Sequence, residues 1–294
     1  MNHLPRITLA VLLCACNQQG QPAPVQSQNS ASPVARHTDP NPYSAVGAIP
    51  LPPGFHRLPA DHMPFAGWLR QIPLKRDRTV YLYDGSPKRN QEAQYAVLDV
   101  SVGHQDLQQC ADAVMRLRAE FLYSKHDLAR IDFYTEQGVR LNFLEWANGG
   151  RVRLNGSRLE FYTLPGTDHF CESRACFDSY LNTVFTYCGT RTLEKQLTPI
   201  SLNQLYPGDV FIKGGSPGHA MLVVDAAEDT QGHRIFLLAQ SYMPAQDIHL
   251  VKNPTDPALS PWFRADPAQT ELETPEWTFK TNQLRTWPPQ HGQL

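Results

Sequence analysis

The chain has 294 residues, with 26 Lys and Arg against 28 Asp and Glu, for a formal charge of −2. That balance excludes the basic surface nucleic-acid binding needs, and 41% apolar residues supply a sizeable core but too few for a polytopic membrane protein. A charged fraction of 18%, with 25 prolines and 10% aromatic residues, suits a loop-rich globular body and excludes disorder beyond the N-terminal region.

At the N-terminus Arg6 precedes residues 7–15, an almost wholly apolar run, and Leu13-Cys14-Ala15-Cys16 sets small residues before a cysteine. So short a run cannot cross a bilayer core, which needs about 20 apolar residues, and it reads as a targeting segment. The pattern resembles a bacterial lipoprotein signal, with an ordinary signal peptide as the rival reading. The resemblance implies removal of residues 1–15 and acylation of Cys16. With Asn17 where an aspartate would mark inner-membrane retention, it also implies the periplasmic face of the outer membrane. Several acyl chains make a long-lived anchor where one is marginal. Residues 16–45 carry Gln, Pro, Ser, Ala and Asn without a hydrophobic period and read as a disordered tether. Residues 46–294 read as a single mixed α/β globular domain.

Within that body, β-rich runs predict strands over 79–83, 95–102, 130–134, 139–144, 151–154 and 158–162. A second group follows at 209–212, 219–225, 234–239, 247–251 and 277–279. Two segments read as helices. In the first, Asp106 can cap with Gln109 three residues on, and Leu107, Cys110, Ala111, Val114, Leu117 and Phe121 recur at helical period. In the second, Phe177, Tyr180, Leu181, Val184, Phe185 and Cys188 form an apolar stripe stopped by Gly189. The stretch Gly214-Gly215-Ser216-Pro217-Gly218 lacks the lysine and following helix of a phosphate cradle, so it reads as a tight turn and no nucleotide is expected. No metal or other cofactor is expected either: the histidines are scattered, and Cys171 and Cys176 lack a second ligand pair.

Three residues are ordered as a cysteine hydrolase needs them: Cys110 at a helix start, His219 at the start of an apolar strand and Gln240 at the end of the next. A thiol at a helix N-terminus feels the positive end of the macrodipole, which favours the thiolate. A histidine beside it can take the thiol proton, and a third polar side chain can orient the ring. Asp225 and Asp247, also near strand ends, compete with Gln240 for that last role. Gln105, Gln109 and the backbone N–H of Cys110 are candidate oxyanion donors. Against this stands the reading of Cys110 as an ordinary core thiol, since it shares a face with Leu107, Val114 and Phe121.

The stretch Leu205-Tyr206-Pro207-Gly208-Asp209-Val210-Phe211, followed by Gly218-His219-Ala220, is similar to the histidine-bearing strands of NlpC-type papain-like cell-wall hydrolases, and Gln240-Ser241-Tyr242 resembles their third-residue strand. The whole body resembles a bacterial lipoprotein family known as domain-of-unknown-function family 4846. The resemblance runs through Asp106-Leu107-Gln108-Gln109-Cys110-Ala111-Asp112-Ala113, Met115-Arg116-Leu117-Arg118-Ala119-Glu120 and Gly214-Gly215-Ser216-Pro217-Gly218-His219-Ala220. That resemblance names no activity. In the NlpC pattern the nucleophile lies a few dozen residues before the histidine, whereas Cys110 precedes His219 by 109. Cys176, 43 residues before His219, is therefore the alternative nucleophile, although Cys171 offers it a disulfide partner.

The expected fold is α+β, a papain-like (NlpC-type) core of helices packed on an antiparallel sheet over about residues 103–252, with additional β-strands inserted or N-terminal. The expected function is a thiol peptidase or amidase of the cell envelope that cuts peptidoglycan peptide or amide bonds through Cys110, His219 and Gln240. Two alternatives remain: a catalytically inactive lipoprotein that binds murein or a partner protein, and a lipid or acyl transferase of the same fold. The expected partners are the lipid bilayer, through Cys16, and peptidoglycan or an envelope protein.

Overall fold

The computed structural model describes residues 39–61, 63–164, 166 and 170–288. The signal segment with Cys16, and the tether as far as residue 38, lie outside the described residues. Packing begins at Asn41, which is buried and donates its side-chain amide to the carbonyls of Tyr43 and Lys75.

A nine-stranded antiparallel sheet runs through the body. Its spine is β1 (Gln94–Val97), β2 (Val210–Lys213), β3 (His219–Glu228), β4 (Arg234–Gln240), β5 (His249–Val251) and β6 (Leu284–Thr286), laid side by side in the order β1-β5-β4-β3-β2-β6. Thr198–Pro199 extends the sheet beyond β6, while His56–Arg57 and Phe263–Ala265 pair with the far ends of β3 and β4. Five helices accompany it: α1 (Pro64–Arg70), α2 (Cys110–Ser124), α3 (Phe143–Ala147), α4 (Arg174–Tyr187) and α5 (Thr190–Gln196). This is a mixed α+β fold built on a large antiparallel sheet. Among the described residues no helix is long and apolar enough to cross a membrane.

Both faces of the central strands are covered, which is why β3 shows no polar alternation. Ala220, Leu222 and Val224 join the core that contains α2 and α4, whereas Met221 and Val223 pack with Phe236, Leu238, Phe279 and Leu284 on the opposite face. Leu237 pairs with Asp225 and Leu238 with Val223, so Val224 is the extra residue of a bulge. The bulge reverses the strand's parity: Ala226 returns to the face of Val223 and Ala227 to that of Val224.

Helix α2 starts three residues later than its apolar period suggests. Gln109 is the N-cap and Asp112 Oδ2 accepts from its backbone N–H at 3.0 Å. Asp106, expected to cap, instead accepts from the backbone N–H of Ala245 at 2.7 Å and ties the preceding loop to the segment after β4. Cys110 thereby becomes the first helical residue. Helix α4 begins at Arg174, where Ser173 Oγ accepts from the N–H of Cys176, and Cys188 is its C-cap. Helices α1, α3 and α5 have five to seven residues, too few to show a period in the sequence. The run at 139–144 divides accordingly into a strand, Arg140–Asn142, and α3, which Asn142 caps. The run at 79–83 makes only isolated bridges, at Tyr81 and Leu82.

Of the 108 residues between Cys110 and His219, those that follow α2 and precede Thr198–Pro199 form helices α3 to α5 and two hairpins, Asp132–Tyr134 with Arg140–Asn142 and Gly150–Asn155 with Arg158–Thr163. Tyr180 clamps the first hairpin to α4, its hydroxyl lying 2.9 Å from the carbonyl oxygen of Leu141 and 3.2 Å from that of Ile131. These elements leave the tip of α2 to meet the start of β3.

Candidate functional site

A cavity of about 350 Å³ lies where the tip of α2, the β2–β3 turn and the segment after β4 converge, with Cys110, Asp112, His219, Tyr242 and Trp277 in its wall. Cys110 opens α2 and His219 opens β3. The Cys110 sulfur accepts from the backbone N–H of Ala220, the residue after His219, so the helix tip sits on the strand's start. Among the described residues no hydrogen bond joins thiol and imidazole directly. A side chain at Gly218 would collide with Gly215 O and Thr190 Oγ1, which is why a glycine brings the chain into β3 here.

His219 is buried and boxed by aromatic rings, with centroids at 4.9 Å for Tyr242, 5.2 Å for Trp277 and 5.9 Å for Phe279. Its Nε2 lies 2.8 Å from Gln240 Oε1. Gln240 is the last residue of β4 and pairs in register with His249 of β5, so their side chains share a face, 3.3 Å apart between Gln240 Nε2 and His249 Nε2. Gln240 Nε2 also donates to Glu276 Oε2 at 2.8 Å, and Glu276 in turn accepts from Lys88 Nζ at 2.5 Å and Asn90 Nδ2 at 3.1 Å. Gln240 is thus beside His219 as expected. Glu276, Lys88 and the ring of Tyr242 are contributions that sequence reading did not assign; Glu276 sits one residue before Trp277, in the hairpin Glu271–Glu273 with Thr278–Lys280, and nothing in its local pattern marks it.

The rival orienting residues lie elsewhere. Asp225 is six residues along β3 and is bonded by Arg57 and Arg70; Asp247 is held by Lys75 Nζ at 2.8 Å and the backbone N–H of Tyr81 at 3.1 Å. Cys176, the alternative nucleophile, is packed in the first turn of α4 within the core that contains Trp146, and is not in the cavity wall. Cys171 and Cys176, the candidate disulfide partners, are free thiols, as are Cys110 and Cys188. The Cys171 sulfur is turned to Ser173 Oγ at 3.6 Å and takes a hydrogen bond from the Cys176 thiol, which holds Cys171 below its ordinary pKa.

Leu107 and Phe185 line both the cavity and a wider groove of about 920 Å³. One face of α4 forms a groove wall through Arg174, Asp178, Asn182 and Phe185, spaced at helical period. Arg174 bonds both oxygens of Glu120, at 2.7 and 2.8 Å, as well as Asp178, and Arg116 reaches Glu120 at 2.6 Å. Gln105 lies in this groove and not in the cavity, because α2 starts only at Cys110 and leaves Gln105 on the approaching loop. It therefore does not serve as an oxyanion donor at Cys110. Gln109 does line the cavity, with its Nε2 3.3 Å from Asp106 Oδ1.

The family model described as a domain of unknown function (4846) matches residues 46–286. The chain belongs to that family. No curated protein and no solved structure matches it. The matched span of the family 4846 domain includes Cys110, His219, Gln240 and Glu276.

Electrostatics in this family 4846 domain run against the simple helix-dipole argument. Burial pushes the Cys110 thiol up to about 11, and the charge of Asp112 adds to it. The backbone N–H groups of Ala220, Ala111 and Cys110 oppose that rise, as a helix start should, but they are outweighed. His219 is pushed the other way, down to about 4, by burial, with the Gln240 hydrogen bond and the Glu276 charge opposing. Thiol and imidazole are therefore both neutral at pH 7. Asp112, raised to about 8 by burial, has an oxygen without a hydrogen-bond partner.

Asp112→Asn is accordingly expected to lower the thiol pKa of Cys110. Alkylation by iodoacetamide at pH 9, read by peptide mass spectrometry at Cys110, should quicken by up to about tenfold for each pK unit removed. An unchanged rate would show that Asp112 is not felt by the sulfur. The same variant should remove a loss of stability as pH rises from about 4 to about 8, the range in which the unfolded chain has given up this proton and the native carboxyl, with its raised pKa, still holds it.

Proposed function

We propose that this chain is a thiol hydrolase of the cell envelope, with a papain-like, NlpC-type core, that cuts peptide or amide bonds of peptidoglycan. The observation that carries the reading is that Cys110 and His219, far apart in the chain, meet at one open cavity, with Gln240 hydrogen-bonded to the imidazole from behind. Cys110 Sγ attacks the substrate carbonyl while His219 Nδ1, the ring nitrogen not bonded to Gln240, takes the thiol proton. The oxyanion forms beside the backbone N–H of Cys110 at the start of α2, which the sulfur gives up as it attacks. The C–N bond then breaks as the imidazolium protonates the departing amine. Water, deprotonated by His219, hydrolyses the remaining thioester and restores the thiol.

A lipid anchor at Cys16 and a tether ending at about residue 40, where the chain joins the packed body, would hold that body at the periplasmic face of the outer membrane, within reach of peptidoglycan or an envelope protein. The groove beside the cavity supports a polar, extended substrate over an acyl chain, since its α4 wall carries Arg174, Asp178 and Asn182. The neutral thiol–imidazole pair favours a second reading, a non-catalytic domain that binds murein or a partner protein.

Incubating the mature, lipid-anchored protein in detergent with isolated peptidoglycan separates the two. Products carrying a newly formed carboxyl terminus, found by mass spectrometry with the wild type and not with Cys110→Ala, are the expected result. Identical product profiles from both proteins, with both co-sedimenting with the polymer, would replace the hydrolase by the binder.

A further inference from the structure

The hydrogen bonds behind His219 form a closed donor–acceptor sequence. The carbonyl oxygen of Asp247 lies 2.9 Å from His249 Nδ1 and can only accept, so that nitrogen carries the hydrogen and His249 Nε2 is a bare acceptor. The carboxylate of Glu276 is also an acceptor. Both acceptors face the same atom, Gln240 Nε2, at 3.3 Å from His249 and 2.8 Å from Glu276, and an amide nitrogen has two hydrogens to give. A reversed amide would set oxygen against both of them. Gln240 Oε1 is therefore the atom that meets His219, and the His219 nitrogen 2.8 Å away, Nε2, must be the protonated one. The lone pair is left on Nδ1.

We propose that Glu276 is a positioning residue of the Cys110 site: through Gln240 it fixes His219 in the Nε2–H form and so presents a bare Nδ1 for the thiol proton. Glu276 is held in turn by Lys88 and Asn90, which bond one oxygen each. The hairpin that carries Glu276 also supplies Trp277 and Phe279 to the box around His219, so one element both encloses the ring and sets its tautomer. The charged groups bearing on His219 are Glu276 and Lys88, and burial keeps the ring neutral, which is the condition under which a tautomer matters.

The proposal rests on the reading of His219 as the base for Cys110, but its test does not require turnover. Long-range 1H–15N correlation spectra of the full mature chain are expected to show His219 with a pyrrole-type Nε2 and a pyridine-type Nδ1. Glu276→Gln, which keeps the shape and can offer either a donor or an acceptor, should convert His219 to a mixture of tautomers. Glu276→Asp should retain the wild-type form. On isolated peptidoglycan, Glu276→Gln should lower kcat in proportion to the share of His219 left in the Nε2–H form, by about twofold for an even mixture, with KM unchanged. A wild-type His219 protonated on Nδ1, or an Nε2–H form that survives Glu276→Gln, overturns the proposal. Should Glu276→Gln not fold, Glu276→Ala takes its place: loss of the pure Nε2–H form there supports the proposal and its retention overturns it. If the tautomer responds as stated but neither protein cleaves peptidoglycan, the hydrolase reading fails and this one stands.

Discussion

His219→Ala is expected to lower kcat for peptidoglycan cleavage by about 10²–10⁴-fold with little change in KM, because it removes a proton acceptor that acts in the transition state and leaves the groove intact. The effect should exceed that in an enzyme with a preformed thiolate–imidazolium pair. There the thiol is already ionised and the ring serves partly as a counter-charge. Here the thiol sits near 11 and the imidazole near 4, so the sulfur must lose its proton as it attacks, and only a base already in place makes that accessible.

The same pair of values sets the pH dependence. Activity requires the imidazole unprotonated and the thiol protonated, so kcat/KM should rise through about pH 4 and fall only near pH 11, with a broad plateau between. A narrow bell centred near neutrality would mean that an ion pair forms in the free protein. Stability carries a related signature. The folded-state pKa of His219 is lowered, so the unfolded chain takes up the proton first, and the native state loses stability as pH falls from about 6.5 towards 4. His219→Ala should remove that part of the acid sensitivity.

The sequence was most informative where a residue's role is fixed by period or by chain order. The stripe from Phe177 to Cys188 is a helix, the apolar run after His219 is the central strand, and Gln240 ends the neighbouring strand beside it. Chain order alone puts His219 and Gln240 at the same end of an antiparallel pair. The start of α2 was less legible, because Asp106/Gln109 and Gln109/Asp112 offer the same capping spacing, and only the tertiary bond from Ala245 to Asp106 decides between them. Glu276 and Lys88 could not be read at all. Each lies in an irregular segment remote in sequence, and each reaches the site through a side chain whose partner is set by the fold. The thiol's electrostatics were misjudged for a related reason: the helix start is local and visible, whereas the burial that outweighs it is made by packing from four other segments. The aromatic box around His219 shows the same limit, since Trp277 and Phe279 read only as part of a short strand until the hairpin is docked.

Asp225→Ala is expected to be the most destabilising single exchange of a charged residue, at about 3–5 kcal/mol. Asp225 is fully buried, and its two oxygens take the guanidinium groups of Arg57 at 2.7 Å and Arg70 at 2.6 Å. Arg57 belongs to the short strand beside β3 and also donates to Ile49 O, while Arg70 ends α1 and donates to Ala226 O. One carboxylate therefore joins three elements, and its loss leaves two partly buried cations facing each other without a counter-charge. For a body of this size the loss corresponds to a fall in Tm of roughly 6–20 °C. A fall of less than about 3 °C would mean that both arginines swing out to water and that the cluster contributes little. Replacing Asp225, Arg57 and Arg70 together by apolar residues should recover much of the loss, since a buried ion cluster is costly mainly when it is broken. The distance to the site makes this a test of stability alone. Six residues of extended strand, about 20 Å, separate Asp225 from His219. Below the melting range Asp225→Ala should therefore keep the wild-type His219 tautomer and the wild-type rate of Cys110 alkylation, and a change in either would show that strain at this end of β3 reaches the other.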